Sequence, residues 1–161
     1  MVSTSLALVE NGHSQHAAGD VISWHVVAMF APSFFTGFLI RRFGAHLVAI
    51  AGFGILSAAA MFAANGLSFP HFYGSLILLG IGWNFGFVSA TSMLANSVSE
   101  DEKFVVQGAN DTAMGLASVA GAFIAGFILS GSGWTYLATG ALIVLVPTLV
   151  LLIADRRSFT E

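Results

Sequence analysis

Five apolar runs, residues 21–40, 47–64, 72–95, 105–129 and 134–154, follow one another with only short polar gaps between them. At 1.5 Å per helical residue, each is long enough to cross a hydrocarbon core of ~30 Å. A backbone in hydrocarbon must satisfy its own hydrogen bonds, so each run reads as a transmembrane helix. The charges agree. Threading the chain alternately through the five runs brings Arg41, Arg42, Lys103, Arg156 and Arg157, all five basic residues, to one face. The opposite gaps, NGLSFPH and SGSG, hold no Lys or Arg. Basic residues accumulate on the cytoplasmic side, which places the C-terminus inside and the N-terminus outside. With 57% apolar and 8% charged residues, the chain lacks the charge a soluble surface needs. The expected fold is all-α, a polytopic membrane bundle of five transmembrane helices, multi-pass in a plasma membrane.

Composition narrows the chemistry. Cysteine is absent, which excludes disulfides, thiolate catalysis and Cys-based metal sites. There is no basic patch for nucleic acid and no polybasic tract for lipid headgroups, and the partner that the spans themselves imply is the lipid bilayer. His13 and His16 sit in the polar stretch ENGHSQHAAGD, which reads as a solvated loop; without a third ligand their spacing implies no metal site. No cofactor is expected. MVSTSLALV is too short to span and lacks a positive n-region. It reads as the end of a truncated helix, making residues 1–19 an extracytoplasmic segment, 20–154 the bundle and 155–161 a cytoplasmic tail.

The spans differ in character. The first carries Pro32, which removes a backbone donor and kinks a helix; Ser33 or Thr36 can satisfy the freed carbonyls. Gly37 and Gly44 permit close backbone approach around the turn GFLIRRFGAH, where Arg41 and Arg42 anchor in the headgroups. Pro70 suits the first turn of the third span, and Gly80, Gly82 and Gly86 surround Trp83 and Asn84 at its middle. Ser99 and Glu102 fit a capping box before the fourth span. Ala117, Gly121 and Ala125 then form a small-residue seam for tight helix contact. Trp134 and Tyr136 mark the outer interface of the fifth span, which Pro147 can kink.

Polar residues concentrate in three spans. Asp111 is the one carboxylate well inside a span, and with Gln107 and Asn110 it reads as a coupling or gating group, or as a structural hydrogen-bonding cluster. Trp83 offers a stacking face, Asn84 an amide at the midplane and Ser33 a hydroxyl, together a candidate substrate site; Asn84 also reads as helix–helix glue. An unperturbed imidazole titrates near physiological pH, so His25 is a candidate for proton coupling, or an interfacial residue beside Trp24. No catalytic residue is assigned. An intramembrane hydrolase using His25 would need a serine from another span, since Ser33 lies about 12 Å along the helix.

GFLIRRFGAH resembles the cytoplasmic loop motif G-x-L-a-D-r-x-G-r-k of the major facilitator superfamily (MFS), matching at Gly37, Leu39, Arg42 and Gly44. Arg41 replaces the motif's acid, and Ala45 and His46 its later basic positions. WHVVAMFAPSFFTGFLIRRFG, GIGWNFGFVSATSML and VQGANDTAMG are similar to bacterial members. The resemblance implies half of an MFS-type fold, helices eight to twelve of twelve with the end of helix seven. It further implies a central cavity lined by the first, third and fourth spans, and alternating access with a missing N-terminal half as partner. The function it implies is a fragment of a secondary transporter for a small organic solute. The alternative is a membrane module that pairs with another half-transporter.

Overall fold

Proline at position 32 divides the first span into two helical pieces. The computed structural model describes residues 2–158, arranged as α1 (Val2–Glu10), α2 (Gln15–Phe30), α3 (Ser33–Phe43), α4 (Ala45–Ala64), α5 (Phe69–Asn96), α6 (Lys103–Ser132) and α7 (Trp134–Ser158). No strand occurs among the described residues. Five stretches are long and apolar enough to cross a membrane: α2 with α3 over Gln15–Phe43, then α4, α5, α6 and Trp134–Asp155 of α7. Helix α7 runs through Pro147 and continues past Asp155, so the tail assigned to 155–161 is helical to Ser158. Its last three residues, 159–161, lie outside the described residues.

Helix α2 begins six residues ahead of its apolar run. Ser14 Oγ accepts a hydrogen bond from Ala17 N at 3.1 Å, satisfying a first-turn donor and fixing the start at Gln15. His16 is therefore helical and not in a loop, with Nδ1 3.7 Å from Asp20 one turn on. Between α3 and α4 the chain turns on Gly44 alone, at φ 85°, a backbone angle that side-chain-bearing residues rarely adopt. The turn does not bring backbones together. A Cβ at Gly37 or Gly44 would meet nothing within 4 Å, so Gly44 serves its own torsion and Gly37 is open. Arg41 and Arg42 end α3, where cations complement the helix dipole, and the Arg42 guanidinium lies 5.6 Å from the Phe43 ring.

The tightest packing surrounds α5. A Cβ at Gly52 of α4 would fall 2.7 Å from Gly86 N and 3.0 Å from Gly82 O, and one at Gly82 would fall 2.9 Å from Gly52 O. On another side of α5, a Cβ at Gly80 would fall 2.8 Å from His25 O. Helix α5 therefore meets α4 and α2 backbone to backbone, as small residues allow in membranes. At one end Phe72 packs with Leu8, Val21, Leu76 and Leu129 in the buried core. Trp134 joins this core: its ring centroid is 4.9 Å from that of Phe72, and its Nε1 donates to Ala63 O at 3.0 Å. Tyr136 is exposed.

Helix α6 stands apart. Leu129 is its one buried residue among those described, and a Cβ at any of its glycines (Gly108, Gly115, Gly121, Gly126, Gly131) would meet nothing within 4 Å. In the seam of Ala117, Gly121 and Ala125, the first two are exposed and Ala125 is half-buried. Trp83 and Phe87 of α5 line the cavities that lie between α5 and α6.

Candidate functional site

Three faces of α5 do different things. One carries Gly82 and Gly86 against α4. A second carries Asn84 against the proline break. Asn84 Nδ2 donates to Met29 O at 2.7 Å and to Ser33 Oγ at 2.6 Å, while Thr36 Oγ1 lies 2.7 Å from Asn84 Oδ1 and 2.8 Å from Pro32 O. Proline interrupts the backbone ladder here, and the side chains of Thr36 and Asn84 serve carbonyls around the break. Asn84 is 3% exposed, and both of its amide hydrogens are committed to this junction. Ser33 and Asn84 do come together, hydrogen-bonded across the contact between α3 and α5.

The third face is open. Trp83 is 40% exposed and stacks on Phe87 one turn on, with centroids 5.8 Å apart and planes 14° from parallel. Phe87 is absent from the sequence-derived site; its four-residue spacing from Trp83 is the signal that could have found it. Trp83 borders two cavities. One, of about 820 Å³, lies between α2 and α5 on one side and α6 on the other, with His25, Met29 and Trp83 facing Ser118, Gly121 and Ala122. The other, of about 760 Å³, is lined by Trp83, Phe87, Asn110 and Met114, with Leu145 of α7.

His25 is buried within the bundle: its Nδ1 lies 2.6 Å from Leu76 O of α5, and the residue borders the larger cavity. Its neighbour Trp24 is exposed. Gln107 is half-buried and Asp111 exposed, while Asn110 Nδ2 lies 3.6 Å from Met114 Sδ. These three residues do not hydrogen-bond to one another among the described residues, so α6 presents them separately. In the turn before α6, Glu102 Oε2 accepts from Ser99 Oγ at 2.6 Å and from Ser99 N at 3.2 Å. The hydroxyl first, and then the backbone amide, hold the Glu102 carboxyl below the usual glutamate value.

The sequence profile of the Major Facilitator Superfamily matches residues 1–160. The chain is 46% identical over 134 residues to a riboflavin transporter of Brucella anthropi, a match that covers 83% of this chain and 34% of that protein. Two uncharacterised MFS-type transporters of Bacillus subtilis are 33% and 35% identical, each match covering 93% of this chain and 36% of the relative. No solved structure matches the chain significantly. The chain belongs to the Major Facilitator Superfamily, whose matched members are transporters and not enzymes, and it is a multi-pass membrane protein. It spans about a third of the length of the curated relatives it matches.

Proposed function

We propose that this chain forms helices eight to twelve, with the end of helix seven, of a secondary transporter that moves riboflavin or a close planar analogue by alternating access. The observation that carries this reading is the meeting of two cavities at Trp83, on helices that the family places around its pathway. The 46% identity to a riboflavin transporter supports the choice of solute. In this reading the turn between α1 and α2 lies on the outer side of a bacterial inner membrane, the C-terminal tail lies inside, and an N-terminal half supplies the opposing wall. Asp111, exposed on α6, faces that opposing wall and takes part in coupling or gating with Gln107 and Asn110, since a carboxylate is costly to leave against lipid.

The test is a chimera in which this chain replaces the matching segment of the Brucella transporter. Expressed in a riboflavin auxotroph, it should restore growth on low external riboflavin. Asp111→Asn in the chimera should keep surface levels and lower the uptake rate. A chimera that reaches the membrane and moves no riboflavin would sink the choice of solute.

A further inference from the structure

The larger cavity has two unlike walls. One carries the indole of Trp83, with Met29 and Leu79 adding apolar surface. The other, on α6, carries Ser118, Gly121, Ala122, Ala125 and Gly126, with Phe123 as its one bulky side chain. A Cβ at Gly121 or Gly126 would still meet nothing within 4 Å, so this wall stands clear of the indole. An aromatic face opposite a wall of mostly small side chains makes a slot suited to a flat molecule. Its volume, about 820 Å³, lies within the range of ~300–1,000 Å³ that small-molecule pockets occupy.

His25 gives the slot a direction. Leu76 O can only accept, so the hydrogen of their 2.6 Å contact sits on His25 Nδ1. In the neutral ring Nε2 is then left as an acceptor, and it makes no hydrogen bond among the described residues. His25 is 4% exposed and borders the slot, so a molecule in the slot lies beside this residue. The indole is held independently. Gly80 and Asn84 tie its helix to α2 and α3, Gly82 and Gly86 tie it to α4, and Phe87 backs its ring.

We infer that this slot binds a planar conjugated heterocycle, stacked on Trp83 and donating a ring N–H to His25 Nε2. The inference rests on the transporter reading above and adds to it the two residues that select the solute.

The purified chain in lipid nanodiscs is titrated with lumichrome, a fluorescent planar tricycle bearing ring N–H groups, and with its 1,3-dimethyl derivative. Lumichrome fluorescence should be quenched saturably. Aromatic contacts of this kind set the expected loss for Trp83→Ala at about tenfold in affinity, with Trp83→Phe within about threefold of wild type. His25→Phe should abolish the preference for lumichrome over the dimethyl compound, a ratio insensitive to general loosening of the fold. Unsaturable partitioning into wild-type nanodiscs overturns the inference, because it means the slot holds only lipid. So does wild-type affinity in a Trp83→Ala chain of normal helicity. Should Trp83→Ala lose helicity, Trp83→Leu decides, and binding as tight as that of Trp83→Phe counts against stacking. Riboflavin uptake by the chimera alongside Trp83-independent lumichrome binding would refute the slot and leave the transporter reading standing. Trp83-dependent binding without uptake would do the reverse.

Discussion

Thr36 and Asn84, 48 positions apart in the chain, lie within hydrogen-bonding distance of each other at 2.7 Å inside the bundle. Thr36 Oγ1 also reaches the carbonyl of Pro32, and Asn84 reaches that of Met29. Asn84 thus supplies a donor to a carbonyl at the end of α2, while Thr36 adds a side-chain bond to a Pro32 carbonyl that already accepts from the backbone of Phe35 and Thr36.

Asn84→Ala should lower the stability of the chain in micelles by about 0.5–2 kcal/mol, the scale of hydrogen bonds between membrane helices. Thr36→Val should cost a similar amount, and the double variant less than the sum, because the two share one bond. Reversible unfolding followed by circular dichroism measures the coupling. Strict additivity would show that the contact contributes nothing.

Glycines that look alike in sequence should behave oppositely. Gly52→Ala places a methyl 2.7 Å from Gly86 N, where only backbone can yield, and overpacking of this kind costs about 1–3 kcal/mol. Gly121→Ala meets nothing, so alanine's better helix propensity should make it neutral or stabilising by about 0.5–1 kcal/mol. Melting temperatures of the two variants in one detergent make the comparison.

Single cysteines can be introduced without background, since the chain has none. At Ser68 and Ser99, both exposed, they should react with an impermeant maleimide from opposite sides of the membrane, Ser68 from outside. Labelling of both in intact cells would refute the proposed orientation.

The Ser99–Glu102 contact favours the charged carboxylate. Its contribution is therefore complete above about pH 4.3, the ordinary glutamate value, and is lost as pH falls through the lower folded value. Ser99→Ala removes the larger of the two bonds and should raise the Glu102 titration midpoint towards the ordinary value, with the Ser99 amide keeping part of the depression. Carboxyl NMR titration in micelles reads the shift. An unchanged midpoint would mean that the hydroxyl bond is not formed.

What was legible in the sequence was local. The five spans follow from length and apolarity, the break follows from Pro32, and the Ser99–Glu102 pair is three residues apart. The Asn84 partners Met29 and Ser33 lie 55 and 51 residues away, and Leu76 lies 51 from His25, so no spacing rule could pair them. Gly52 looked like one small residue among many, because only its position opposite Gly82 and Gly86 gives it a role. The α6 seam shows the converse. A pattern of small residues records that something can come close, and it does not say what.

The proline junction also sets how stiffly the parts of this chain are joined. A helix whose interrupted bonding is completed by its neighbour cannot tilt away from that neighbour without stranding polar groups in hydrocarbon. Helices α2, α3 and α5 are linked in this way, and the Gly52–Gly82–Gly86 contact adds α4, so the four behave as a single plate. Swinging α6 breaks none of those contacts. A tilt of α6 about its buried end at Leu129 therefore leaves the plate intact, and it widens or narrows the gap in front of Trp83 while the indole stays fixed.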